Sequence, residues 1–292
     1  MTVVFRAMGS EVSVTALDED ETRVAKDVAA IFREAEARFS RFDATSELAA
    51  LNRSRGPFVA SPPMFAALER ARAFATLTAG VFDPGVGSAL VRLGYDRSFA
   101  SGALDRADVT PALGGSILDV HLDERTRAVH RPSRVLIDLG GMIKGATVDA
   151  AATALRGAGA IDAGGDGVVR GPAWLVDVED PRDPSRIVAT LSLSNAAVAT
   201  SAANRRVWRT GTRSAHHLVD PRNGAPAVSD LLQATIVAPT AELADVAATT
   251  VFVLGAHDGR RFIERHPALG GVLVDARGGV DVVGRASLVE AA

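Results

Sequence analysis

The chain has no cysteine, which excludes disulfides, thiolate metal sites and a cysteine nucleophile. It has no apolar run of the ~18 residues that a membrane-spanning helix needs, so membrane insertion is not expected. An excess of one charge is missing too: 32 Lys and Arg stand against 35 Asp and Glu, for a formal net charge of -3. That balance offers no basic surface for nucleic acid or for an anionic membrane. There is no Ser-His-Asp order and no His-x-x-x-His spacing, so neither a triad nor a zinc helix is supported. Repeats, linkers and low-complexity tracts are absent. The opening Met1-Thr-Val-Val-Phe-Arg-Ala-Met-Gly carries neither a basic leader with an apolar core nor a lipidation cysteine, which makes the cytoplasm the expected location.

Lysine is almost absent. Lys26 and Lys144 are the only two, and the other basic residues are arginine. A chain that uses arginine nearly everywhere keeps lysine where a compact point charge is wanted.

What is present is an ordinary globular composition, 292 residues with 47% apolar and 23% charged. The most organised stretch is Val135 to Asp149. It reads as a short apolar strand, Val135-Leu136-Ile137, ending in Asp138, then the pair Gly140-Gly141, then a helix. Unpaired N–H groups at such a turn can hold an anion, and glycine lets a ligand approach the backbone. Lys144 in the first helical turn opposes the helix dipole, and a bound phosphate or a carboxylate would account for it. An ordinary strand-turn-helix with a solvated lysine accounts for the same residues about equally well.

Elsewhere the pattern predicts a hairpin over 3–7 and 11–17, turning at Met8-Gly9-Ser10, and a helix from Asp20 to Phe39. Helices opening at Ser46 and at Ser61-Pro62-Pro63 follow, with another over 88–93. Residues 97–115 read as a polar, irregular segment. Strands are expected at 117–122, 127–130, 160–163, 174–178, 188–193, 197–201, 207–208 and 232–238. Asp220-Pro221-Arg222-Asn223-Gly224 is a strong turn signal. A helix from Thr240 stops at Gly255, a short helix covers 258–266, and 271–275 pairs with 280–283. Helices and strands mix without a strict βαβ rhythm. That predicts an α+β fold, one continuous domain over 1–292 with room for two lobes, antiparallel or mixed sheets and flanking helices.

Four sets of residues could carry chemistry. Asp245 and Thr249 share one face of an otherwise apolar helix, so the carboxylate must be paired or hold a cation. Hard oxygen ligands with open positions suit Mg²⁺ and a phosphate, although pairing with an arginine is the commoner use of such an acid. The glycine pairs at 140–141 and 164–165, with Gly85 and Gly87, fit a nucleotide site or plain turns. Of His216 and His217 only one can face a given site, as a general base or as a structural strand residue. The acids Asp83, Asp138, Asp166 and Asp220 end strands or open turns, where they line a cleft or cap the turn.

Taken in order, these pieces resemble the FAD:protein FMN transferase (ApbE) family. The matching segments are Met8-Gly9-Ser10, Phe39-Ser40-Arg41-Phe42 with Ser46-Glu47-Leu48 and Asn52, and Gly80 through Gly87. Asp138 through Gly145 with Asp149, Ala163-Gly164-Gly165-Asp166, Ala199-Thr200-Ser201, His217 through Pro221 with Gly224, and Ala244-Asp245 with Thr249 complete the set. The resemblance implies a T-fold-like domain and a Mg²⁺-dependent transferase. Such an enzyme splits FAD at its pyrophosphate and moves FMN through a phosphoester to a Thr or Ser hydroxyl of an acceptor protein. It further implies Mg²⁺ held by Asp245, Thr249 and the Gly141 carbonyl. FAD would be contacted by Met8, Phe42, Val81, Phe82, Asp83, Asp138, Lys144 and Val219. His217, Asp245 and Lys144 would be the catalytic groups, with His217 as the base. Phe42 departs from the tyrosine many relatives carry, and Ser201-Ala202 from their Ser-Gly. An FAD pyrophosphatase giving FMN and AMP, and a flavin-binding protein without catalysis, are the alternative readings.

Overall fold

The computed structural model describes residues 2–17, 19–97, 105–106, 112–210, 213–286 and 288–291. The segment expected over 97–115 falls largely outside these. Contacts divide the chain into two compact units: unit 1 holds Met1–Arg33, Lys144–Asn204 and Val228–Ala292, and unit 2 holds Glu34–Ile143 and Arg205–Ala227. The described residues form a mixed α+β structure with six α-helices and no closed barrel.

Unit 1 is organised on an open eight-stranded sheet. Its strands are β1 (Thr2–Ala7), β2 (Ser10–Ala16), β3 (Gly159–Ala163), β4 (Asp166–Arg170), β5 (Ala196–Ala202), β6 (Leu231–Ala238), β7 (Gly270–Asp275) and β8 (Val280–Gly284). They lie side by side in chain order, every pair antiparallel. The β1–β2 register, Ala7 opposite Ser10, leaves only Met8 and Gly9 in the loop, at φ 50° and 69°. Two central residues at positive φ make the mirror-image turn whose twist suits a hairpin. β3 and β4 use the same device at Gly164 and Gly165, φ 66° and 95°.

One face of the sheet buries Val12, Val14 and Ile161 against Val24, Val28 and Phe32 of α1 (Glu21–Phe39), Val148 and Ala151 of α5 (Ile143–Ala152), and Leu155 just beyond it. The long α6 (Ala241–Arg265) lies on β5 and β6. It is interrupted at Gly255, φ 81°, where the sequence pattern ended one helix and began another. A separate hydrophobic cluster joins Val198, Val237, Val272 and Val274 of the large sheet to the strands Trp174–Asp180 and Asp183–Leu193. Unit 1 is therefore helices, sheet and small sheet in layers.

Unit 2 carries α2 (Glu47–Arg53), α3 (Pro62–Leu77) and α4 (Gly87–Arg92). Ser46 and Ser61 cap the first two through their side chains, accepting from Ala49 and Met64 N–H. Short strands at His121–Asp123 and Ala128–His130 pair as expected, but Ile117–Asp119 is a 3₁₀ turn rather than strand.

The expected central strand at Val135–Ile137 is not a strand. Only Leu136 makes a single bridge, to Val86. The hydrophobic reading was sound, since Val135, Ile137 and Leu139 are fully buried, but the backbone groups are satisfied without a neighbouring strand. The Asn52 side chain stands in for one, donating to the Ile137 carbonyl at 2.8 Å and accepting from its N–H at 2.9 Å. Gly87 N–H donates to Leu136 O, and Asp138 N–H to Pro84 O. A side-chain amide, the N–H of Gly87 and the carbonyl of Pro84 thus meet the hydrogen-bond demand that a ladder would otherwise meet.

Candidate functional site

In unit 1, two helices are fastened together where the candidate ligands sit. Asp149 of α5 accepts from the N–H groups of Ala241 and Glu242 at 2.7 and 2.9 Å. A carboxylate from elsewhere in the chain thereby caps the start of α6, where free N–H groups and the helix dipole favour negative charge. Thr240 caps the same end by accepting from Leu243 N–H. At Gly145 the helices touch backbone to backbone: a Cβ there would lie 2.4 Å from the Ala241 carbonyl oxygen. Only glycine permits this approach.

The contact fixes Asp245 one turn along α6. Asp245 is 8% exposed, and its Oδ2 accepts from Gly145 N–H at 3.4 Å. Thr249 follows one turn later, its hydroxyl 3.2 Å from that of Ser201 on β5. The face therefore presents a carboxylate and hydroxyls, all hard oxygen donors. Among the described residues no group of three His, Cys, Asp or Glu could hold a metal. A cation here would draw its remaining ligands from hydroxyls, carbonyls, water or a substrate phosphate, which is how Mg²⁺ is commonly held. The donor set fits that ion.

Lys144, also in unit 1, is engaged by a carboxylate. Its Nζ lies 2.5 Å from Asp166 Oδ2 and donates to the Ala163 carbonyl at 2.9 Å. The two side chains are 13% and 3% exposed. Asp166 stands where the Gly164-Gly165 turn enters β4, so the lysine compensates a buried charge. Met8, the other expected FAD contact of unit 1, sits at positive φ in the β1–β2 turn.

In unit 2 the counterpart is Asp138. Arg41 Nε donates to its Oδ2 at 2.6 Å and Gly140 N–H to its Oδ1 at 2.7 Å. Burial pushes this carboxyl up, but the Arg41 charge and the two hydrogen bonds outweigh it and hold it below the usual carboxylate range. The Arg41 guanidinium also lies over the rings of Phe42 and Tyr95, 4.3 and 5.1 Å from their centroids. Phe42, Tyr95 and Trp208 form a ladder with centroid spacings of 5.2 and 5.4 Å. Trp208 Nε1 donates to Leu93 O at 2.6 Å. Tyr95 and Trp208 are buried, while Phe42, at the end of the ladder, is 37% exposed.

The remaining expected contacts of unit 2 have structural ties. Asp83 Oδ1 accepts from the N–H groups of Gly85 and Ile117, which knots its loop. Phe82 is buried, and its ring would lie 3.0 Å from a Cβ on Gly141. Val81 is half-buried and Val219 is buried. His217 directly follows the strand Arg213–His216 and is half-buried. Its neighbour His216 is pushed down by burial. Asp220 is held by its own turn, accepting from Arg222 Nε and Nη2, each at 2.8 Å.

Sequence reasoning counted Asp166 and Asp149 but not their partners. It passed over Arg41, Tyr95 and Trp208 as functional groups. The one available signal was composition: Tyr95 is the chain's sole tyrosine and Trp208 one of two tryptophans.

Fold and groups together define an α+β protein with a hard-oxygen donor pair on one helix and acid-bearing glycine corners, equipment suited to phosphoryl chemistry. The chain belongs to the ApbE family, whose model matches residues 8–273. The FAD:protein FMN transferase of Treponema pallidum is 31% identical over 261 residues, covering 78% of this chain and 70% of that protein. The FAD:protein FMN transferase of Klebsiella pneumoniae is 27% identical over 262 residues, 86% of this chain and 82% of that one. Among solved structures, the ApbE protein of Thermotoga maritima superposes with a TM-score of 0.86 at 25% identity, over 97% of this chain and 96% of that one. The flavin transferase ApbE of Vibrio cholerae shares the fold, with a TM-score of 0.81 at 21% identity over 98% and 96% of the two chains.

Proposed function

We infer that this chain is a flavin transferase. It cleaves FAD at the pyrophosphate and joins the FMN phosphate to a Thr or Ser hydroxyl of an acceptor protein, releasing AMP. Membership of the ApbE family and the names of its relatives support this reading. The observation that carries it is the Asp245–Thr249 face of α6, held in place by Asp149 and Gly145.

Asp245 and Thr249 would hold Mg²⁺, with the Gly141 carbonyl as the third protein ligand that the family resemblance implies. Bound there, the ion supplies positive charge to phosphoryl oxygens. Lys144 contributes a second positive charge and, with one of its three donors outside the Asp166 and Ala163 contacts, can donate to a phosphate oxygen. Phe42 offers a flat apolar surface to an aromatic ring of FAD. His217 takes the proton from the acceptor hydroxyl as its oxygen attacks phosphorus and the bond to the AMP oxygen breaks. A cytoplasmic acceptor is part of this reading, and among the described residues no helix is long and apolar enough to cross a membrane.

The decisive experiment mixes the protein with FAD, Mg²⁺ and a candidate acceptor and looks for flavin fluorescence on the acceptor in a denaturing gel. Covalent label with AMP released is the expected result. Free FMN and AMP with no label would make the enzyme a pyrophosphatase, and intact FAD would reduce it to a binder. Asp245→Ala is expected to abolish Mg²⁺-dependent turnover while leaving the far-UV circular dichroism unchanged.

A further inference from the structure

The chain has six histidines, and two of them, outside that site, face each other. His121 and His130 are direct cross-strand partners on the antiparallel hairpin Ala128–His130 over His121–Asp123. Both are exposed. Their ring centroids are 5.6 Å apart and their planes are tilted by 48° rather than stacked. The neighbouring carboxylate is already committed: Asp123 accepts from Arg125 N–H, Thr126 N–H and the Thr126 hydroxyl.

We propose that His121 and His130 form a two-imidazole site for a borderline divalent transition-metal ion, Cu²⁺, Ni²⁺ or Zn²⁺, that clasps this hairpin across its strands. The distances allow it. Metal–imidazole bonds are about 2.0–2.1 Å, so two rings sharing one ion have centroids within roughly 6 Å. The tilt lets two ring lone pairs converge on one point, which parallel stacked rings cannot do. Imidazole is the side chain that selects these ions over Mg²⁺, so the pair is chemically distinct from the oxygen face of α6. Two protein ligands leave positions for water, so the ion is exchangeable. Affinity follows the general order for nitrogen ligands, with Cu²⁺ the tightest. The strands are joined by only a short turn, so a bridge between them also restrains the hairpin against fraying.

The test titrates the full chain with Ni²⁺ and, separately, Cu²⁺ in the presence of millimolar Mg²⁺, which keeps the α6 face supplied with its own ion. Binding is read by calorimetry, and the effect on the fold by the thermal unfolding midpoint. One equivalent is expected to bind and to raise the midpoint. His121→Gln and His130→Gln are each expected to weaken that binding at least tenfold, because a single imidazole remains. Both variants should keep wild-type unfolding midpoints in a chelating buffer, since the two rings are exposed. Binding that survives in the double variant, with unchanged affinity and stoichiometry, would place the ion on other histidines and overturn the proposal. Absence of binding in the wild type would overturn it equally, leaving the rings as a cross-strand packing pair.

Discussion

Two short segments share a pattern, and the protein treats them differently. Asp138-Leu139-Gly140-Gly141 lies in unit 2, and Asp162-Ala163-Gly164-Gly165 in unit 1. In each, the aspartate accepts from glycine N–H two residues on: Gly140 to Asp138 at 2.7 Å, Gly164 to Asp162 at 3.2 Å. There the likeness stops. Gly164 and Gly165 take positive φ and turn one strand directly into the next. Gly140 and Gly141 do not take positive φ, and they lead into a helix. In unit 2 the motif's own aspartate meets the cation, Arg41. In unit 1 the cation, Lys144, passes to the next acid along, Asp166, and to the carbonyl inside the motif. One four-letter pattern thus gives two corners, and the surrounding chain decides which acid is neutralised. The arginine meets a carboxylate 13% exposed and also packs on aromatic faces, while the lysine meets one that is almost sealed, as a compact charge.

The comparison can be broken by removing each cation. Lys144→Met leaves the Asp166 carboxylate buried and uncompensated, with an expected cost of about 3–5 kcal/mol in denaturant unfolding. Adding Asp166→Leu to it should recover much of that loss, and a double variant as unstable as the single would refute the account. Arg41→Met should cost less, about 2 kcal/mol, because Asp138 keeps the Gly140 hydrogen bond and some contact with water.

A pH series separates the corners further. The folded Asp138 carboxyl is held below its unfolded value, so it binds fewer protons folded than unfolded. Its contribution is therefore present above the ordinary carboxylate range and is lost as pH falls through the lowered folded value. The acid limb of stability against pH should be shallower in Arg41→Met, and an identical limb would remove Arg41 as the cause. The smallest contrast is between the glycines. Gly164→Ala places a side chain at φ 66° with its Cβ 3.1 Å from Ser10, at a cost of about 1 kcal/mol. Gly140→Ala has no positive φ to oppose and meets only the tip of the Asp138 side chain, at 2.9 Å, so its unfolding midpoint should shift less.

Much of this was legible in the sequence because the signals are local. The Met8-Gly9 turn, the serine caps of α2 and α3, the Thr240 cap and the Gly255 break are each set by residues within one turn of the feature. What was illegible depends on distant partners. β4 went unread because Gly167-Val168-Val169 is a short run behind two glycines, and it is a strand only because β3 and β5 flank it. Val135–Ile137 looked like a strand because hydrophobicity reports burial, not what the backbone bonds to, and the answer lay at Asn52. The strand Leu288–Ala291, paired with Ala189–Leu191 of the small sheet, has the same origin. In the candidate site, the one-turn spacing of Asp245 and Thr249 was readable from helix period. The Asp149 cap and the Gly145 contact that place them were not, since nearly a hundred residues separate the partners in each.

The large sheet has its strands in simple succession, yet Ala16 of β2 pairs with Gly159 of β3. Most of unit 2 is threaded through that single join. During synthesis the first hairpin therefore emerges with one flank awaiting a neighbour that has not yet been made. Closing so long a loop carries an entropic cost before any of the new ladder can form, and contacts of that sequence separation slow folding. Until β3 arrives, the exposed flank of β2 is an open template for other chains.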